Sequence, residues 1–267
     1  MSRPPAPRRF GRVNWLGVWT VCLRDLVRCG LQWKACFLAP AIRALLFLLV
    51  FQMALGADDW AARVGDLDYL AFLAPGLLAN VLLKRSFEII AYSLVLDRMG
   101  ATIGDILGAP VTPAETIFGY MLLVLLNGAL TGLPAFVAIL PFLAGSPASL
   151  TATLFFAAGG ALTMGLFGVL TGLWARSWEA IQGVPSFVLT PLIFLSGVFF
   201  PVQALPEPLQ LAAALNPVYY VIDGIRWGLT GQGGADPLIG AAVIALTIAV
   251  LGPLCWILFR RGYGLKT

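Results

Sequence analysis

The chain has 267 residues, 60% of them hydrophobic and 11% charged, with a mean hydropathy of +0.90. A soluble domain carries roughly 25% charged residues, so this composition excludes water as the main solvent and points to a membrane. The net charge of +4 comes from basic residues gathered at helix ends and both termini, which is a membrane-topology pattern rather than a nucleic-acid footprint.

Residues 1–12 hold Arg3, Arg8, Arg9 and Arg12 among prolines and read as an irregular basic tail. From Val13 to Lys34, the residues Trp15, Leu16, Trp19, Cys22, Leu23, Leu26 and Val27 recur at helical spacing, with Arg24, Asp25 and Arg28 between them. This predicts an amphipathic interfacial helix with its tryptophans at headgroup depth, the alternative being a plain extension of the first span. The first membrane span is expected over 35–55. The residues before it, and its own length, exceed what a signal peptide carries, so it is read as retained.

A short acidic loop, 56–68, leads to a second span over 69–96; further spans are expected over 117–143, 150–174, 181–200 and 238–259. Segment 201–237 is too long for a turn and too apolar for a solvated linker, and suggests short helices dipping into the membrane before the last span. Seven basic residues precede the first span, while Arg98, Arg176, Arg260, Arg261 and Lys266 follow the second, fourth and sixth. The other side holds Arg63 and Arg226, which predicts both termini in the cytoplasm. The chain thus divides into a cytoplasmic tail with an interfacial helix, 1–34, and a six-helix transmembrane domain, 35–267.

Candidate functional residues are the charges inside the spans: Arg43 in the first, and Lys84, Arg85 and Glu88 in the second. Counted along the helices, Arg43 and Glu88 each lie about 12 Å in from the same membrane face, so an ion pair between them is within reach. Lys84, Arg85 and Glu88 share one helix face. Three readings stay open: an internally neutralised packing cluster, excess positive charge suited to an anionic lipid or glycan headgroup, or a helix boundary that falls elsewhere and takes these charges out of the span. The connection 97–115 carries a short helical pattern ended by Pro110 and Pro113, which is either a folded docking surface or a plain loop. Cys22, Cys29, Cys36 and Cys255 form no CxxC pair or metal spacing and read as packing residues. Histidine is absent, which removes histidine-box metals, Ser-His-Asp catalysis and imidazole relays, and the sequence contains no GxxxxGK[ST] phosphate loop.

Four stretches then carry a resemblance: FLAPGLLA at 72–79, DILGAPVTPAETIFGY at 105–120, SFVLTPLIFLSGVFFPVQALPEPLQ at 186–210 and LNPVYYVIDGIRWGLTG at 215–231. In order and spacing the chain resembles the permease subunits of type-2 ABC exporters, which include drug-type, nodulation and polysaccharide-export permeases. The pair Phe87 and Glu88 is similar to the nodulation type, and the charge cluster exceeds what drug-type relatives show. The resemblance implies an all-α integral membrane fold with an interfacial helix, a coupling helix and short outer re-entrant helices, in a bacterial inner membrane. It implies that Asp105, Ile106, Leu107, Ala109 and Pro110 meet a separate ATPase. Phe199, Phe200, Pro201, Asn216, Pro217, Tyr220, Asp223 and Arg226 would form an outer gate region. ATP and magnesium would bind that ATPase, not this chain, and a second permease copy would complete the path. The implied function is that of a non-enzymatic permease subunit exporting an amphiphile such as a lipid-linked glycan, a lipid or a drug-like compound.

A secondary transporter would show two related halves with matching broken helices, and a membrane enzyme a convergent polar constellation; neither is evident. An accessory scaffold subunit is the remaining alternative.

Overall fold

The computed structural model describes residues 13–54, 63–64, 67–100, 111–143, 145–175 and 177–264. Helix α1 (Trp15–Leu31) starts where the Asn14 side chain accepts from the Gly17 amide, and a π-helical turn (Lys34–Leu38) leads into α2 (Ala39–Ala54). A two-residue antiparallel ladder, β1 (Arg63–Val64) with β2 (Leu67–Asp68), precedes the long α3 (Tyr69–Met99). Next come α4 (Pro113–Ile139) and α5 (Leu150–Trp174), then α6 (Trp178–Val184) and α7 (Thr190–Leu195), which a second π-helical turn joins. The chain closes with α8 (Glu207–Ala214), α9 (Pro217–Thr230) and α10 (Pro237–Arg261).

Among the described residues, six helical segments are long and apolar enough to cross a bilayer: Lys34–Met53, Tyr69–Met99, Pro113–Phe142, Leu150–Trp174, Trp178–Leu195 and Pro237–Arg261. These are the six expected spans. The fifth ends at Leu195 rather than near Phe200 because Gly197 adopts a φ of 77°, a left-handed turn that favours glycine. Helix starts follow local chemistry. Thr112 and Glu115 form a reciprocal capping box on α4, while Asn216–Pro217 and Asp236–Pro237 set a side-chain cap and a first-turn proline on α9 and α10.

Helix α3 is the hub, packed against α2, α4, α5 and α9, whereas α10 lies at the periphery with most of its surface exposed. Small residues allow the hub contact. A Cβ added at Gly168 of α5 would stand 2.6 Å from the Phe87 carbonyl oxygen of α3, closer than packing tolerates. With 31 residues, α3 is about 46 Å long, well beyond a hydrocarbon core of about 30 Å.

Helix α1 is a separate helix, since Gln32 leaves helical geometry at φ −110° and ψ 34° before the first span begins. Its buried stripe is Val18, Cys22, Asp25 and Cys29, while Trp15, Leu16, Trp19, Leu23 and Val27 face outward. The apolar face legible in the sequence is thus the one turned away from the bundle. The protein-facing side carries an acid instead. Helices α8 and α9 have 8 and 14 residues, too short to span, and α9 packs on α3, α5 and α10. The expected docking segment, with Asp105, Ile106, Leu107, Ala109 and Pro110, lies outside the described residues.

Candidate functional site

Asn80, Lys84, Glu88 and Tyr92 follow one another at four-residue intervals on α3, with Arg85 beside them. They share one half-buried face over about 18 Å of helix, while Leu78, Leu82, Leu83 and Phe87 point into the bundle. At one end of the stripe the Tyr92 hydroxyl donates to Gln182 Oε1 of α6 at 3.2 Å.

Arg85 is partnered from within the chain through its two terminal nitrogens, while its Nε has no hydrogen-bond partner among the described residues. Its Nη2 donates to the sulfurs of Cys29 at 3.1 Å and Cys36 at 2.7 Å, and its Nη1 lies 3.8 Å from Glu88 Oε2. Burial pushes the Cys29 thiol up to about 11, against the opposing pull of Arg85, so this sulfur is a neutral acceptor at neutral pH. The four cysteines are buried and free, but two of them hold an arginine in addition to filling space.

Arg43 does not form the expected pair with Glu88, and no described residue lies within ion-pair distance of it. The reason is angular: Ala41, Ala44 and Leu48 turn the other face of α2 to the bundle, while Ile42, Arg43 and Leu46 point outward. Lys84 is half-buried and likewise makes no hydrogen bond or ion pair with a described residue. A groove of about 530 Å³ runs beside Arg43, lined also by Leu46, Phe47, Val50 and Phe51. Aromatic rings continue from it: Phe47 to Phe51 at 4.8 Å, Phe47 to Phe199 at 5.4 Å and Phe199 to Phe194 at 4.7 Å.

The candidate outer residues form a latch. Arg226, only 4% exposed, donates to the carbonyls of Gly197 at 2.6 Å and Phe72 at 3.3 Å, and its guanidinium sits 3.8 Å over the Phe72 ring. It also faces Asp223 at 3.5 Å, whose carboxylate accepts from the Gly234 and Ala235 amides at 2.8 Å each. Asn216 caps α9 and donates to Leu192 O and Ser196 Oγ at the end of α7. Phe199 joins the aromatic run and its carbonyl accepts from the Tyr69 hydroxyl, Pro217 opens α9, and the Tyr220 hydroxyl donates to Ala214 O. Phe200 and Pro201 lie partly buried in the turn after α7.

Two features were missed from sequence. At the α1 end of the bundle, Arg24 Nη2 meets Asp25 at 2.9 Å and Asp97 at 2.7 Å, and Arg28 joins Asp25 at 3.1 Å. Ser93 donates to Asp25 at 2.8 Å. Burial opposes the Arg24 charge, but the Asp25 hydrogen bond and both carboxylates outweigh it and raise its pKa. Arg98 caps α5 by donating to the carbonyls of Gly172, Leu173 and Ala175, and Glu115 bridges the Thr112 and Asn14 amides. The second feature is the pair Asn127 and Thr131, one turn apart on α4, both buried and without a hydrogen-bond partner among the described residues.

Six helices long and apolar enough to span, with a half-buried polar stripe on α3, define a multi-pass membrane protein. A model of the ABC-2 type transporter family matches residues 17–230, and the chain belongs to that family. Over 259 residues it is 29% identical to the inner membrane transport permease YadH of Escherichia coli strain K12, covering 95% of this chain and 98% of the relative. It is 30% identical over 256 residues to Nodulation protein J of Rhizobium leguminosarum bv. viciae, covering 94% of this chain and 95% of that protein. Nodulation protein J of Rhizobium meliloti is 31% identical over 218 residues, 80% of each chain. The chain is accordingly a multi-pass inner-membrane permease subunit of an ABC exporter, and the family implies an ABC ATPase as its partner.

Proposed function

We propose that two copies of this chain enclose a path for an amphiphilic substrate, with the α3 stripe and the α2 groove facing that path. The observation that carries this reading is the pair of cations within the spans, Arg43 and Lys84, that form no ion pair with a described residue. A cation turned to hydrocarbon costs about 2.5–3.5 kcal/mol on insertion scales, so this face belongs against protein, water or substrate. A lipid-linked glycan, a lipid or a drug-like compound would suit an apolar, aromatic path with charge at one level.

The tail and α1, residues 1–34, lie at the cytoplasmic face in this reading, and residues 35–267 form the permease domain, with both termini cytoplasmic. Residues Asp105, Ile106, Leu107, Ala109 and Pro110 would dock on the ATPase, which binds ATP and magnesium. ATP-driven closure of two ATPases would then shift the permease between states of different substrate affinity. Helices α8 and α9 would enter the membrane from outside as an outer gate, with the Arg226 latch fixing their seat. Membrane lipids would contact the outward face of α10 and the tryptophans of α1.

The test is co-purification with an ATPase encoded beside the gene, followed by ATP turnover in lipid nanodiscs. The expected result is a stable complex that hydrolyses ATP and loses assembly or turnover with Leu107→Asp. A chain that binds no ATPase under any condition contradicts the exporter reading and reopens the scaffold and secondary-transporter alternatives.

A further inference from the structure

We infer that a cleft between α4 and α5 holds one acyl chain of a membrane phospholipid, at a lipid site apart from the α2 groove and the α3 stripe. This site does not depend on the path proposed above. The cleft encloses about 460 Å³ among α3, α4, α5 and Ile225 of α9. Its lining runs from Leu125 to Phe136 on α4 and from Leu150 to Ala161 on α5. On each helix that is a rise of about 16 Å. Leu150 is the first residue of α5 and α4 ends at Ile139, so the cleft starts at one membrane face and runs inward. The hydrocarbon core is about 30 Å thick, which makes the cleft as deep as one leaflet, the depth that a single acyl chain fills.

The lining excludes other occupants. Among the described residues it carries no charge, and its one hydroxyl, on Thr153, is already committed, the Oγ donating to the Ser149 carbonyl at 3.0 Å. A headgroup would find no partner there, and an apolar void stays dry. Left empty, the lining atoms would have no contacts on one side. The mouth is continuous with the lipid-facing surface of the bundle, because Leu133, Leu150 and Leu154 of the lining are exposed. What reaches an apolar opening at that depth is hydrocarbon.

Small residues here keep space open rather than bring helices together. Elsewhere on α5 close approach requires glycine: a Cβ at Gly165 would stand 2.8 Å from Val124, and one at Gly172 would stand 2.9 Å from Leu94. At Gly132, which lines the cleft, the nearest atom would be Leu82 Cδ1 at 3.7 Å, an ordinary contact. The cleft also has a structural neighbour. Ile225 precedes Arg226 on α9, and a Cβ at Gly228 of the same helix would lie 2.4 Å from Thr153 Oγ. A chain in the cleft therefore backs the helix that carries the latch.

The experiment reconstitutes the full chain in phosphatidylcholine nanodiscs that contain a small share of phosphatidylcholine, or of phosphatidylglycerol, with one diazirine-bearing acyl chain. After illumination, labelled peptides are mapped by mass spectrometry, with the exposed face of α10 at Leu246 and Val250 as the reference for ordinary lipid contact. Labelling of 125–136 and 150–161 is expected to exceed that reference about threefold or more with either headgroup. Gly132→Leu and Ala158→Phe fill the cleft and should each return the signal to the α10 level, while Gly132→Ala, which leaves most of the volume, should keep it. Labelling no higher than on α10, a signal unchanged in both filling variants, or a cleft left unlabelled because a second copy covers it overturns the inference. A strong preference for phosphatidylglycerol would make the headgroup the determinant and overturn it as well. If one filling variant fails to fold, the other and the wild-type comparison with α10 still decide. The labelling result holds whether or not an ATPase is captured, so its failure is separate from failure of the transport reading.

Discussion

Arg226 and Arg43 are the same side chain put to opposite uses. Arg226 is fully enclosed, with two carbonyls, an aspartate and a phenylalanine ring around it, and the segments it joins are distant in sequence: the start of α3, the turn after α7, and α9. Arg43 is exposed on α2 and touches no anion of the described chain. A charge that a protein surrounds with fixed partners holds structure; a charge left open on one helix does not hold the described fold together.

That contrast breaks most readily at Arg226. Arg226→Leu leaves two carbonyls without a donor and Asp223 without its cation, and should cost about 3–5 kcal/mol, read as a lowered unfolding midpoint and loss of monodisperse protein in detergent. Arg226→Lys should rescue only part of it, because an ammonium cannot reproduce the fork and the ring stacking. A wild-type midpoint in Arg226→Leu would remove the latch from the account.

Asp97→Asn tests whether the α1-end network is structural in the same sense. Asp97 is buried but Arg24 retains Asp25 and some solvent, so the expected loss is smaller, about 1–3 kcal/mol by denaturant unfolding. Thr112→Ala removes the α4 cap and should cost about 1 kcal/mol in the same assay. At the small end, Arg43→Gln should change stability by no more than about 0.5 kcal/mol. If Arg43→Gln unfolded the protein as Arg226→Leu does, the two arginines would belong to one class and the open-site reading would fail.

The spans were legible because long apolar runs are bounded by glycine, proline and charge, and the fourth, Leu150–Trp174, was read to the residue. The motif residues Gly197, Asn216 and Asp223 were legible as a group, but their work as turn, cap and amide acceptor required the packing of α9 to be seen. The Arg43–Glu88 pairing failed because counting residues gives depth along a helix and not the direction in which each side chain points. Asp25 was hidden for a related reason. The sequence shows two faces on α1, the richer apolar one faces outward, and the acid on the buried stripe makes sense only once Asp97 and Arg24 are beside it. The stripe of Asn80, Lys84, Glu88 and Tyr92 could have been read in full from its four-residue spacing, and only its charged members were.

The most direct test of the path is cysteine labelling. Asn80→Cys, Lys84→Cys and Glu88→Cys on one face of α3, and Leu78→Cys and Leu82→Cys on the other, would be exposed to a hydrophilic maleimide in the ATPase complex, with and without ATP and vanadate. The native cysteines are buried, so the background is quiet. The account predicts labelling of the first three positions that changes with nucleotide state, and none at Leu78 or Leu82. Equal labelling of the two faces, or labelling of the Leu face alone, would contradict it.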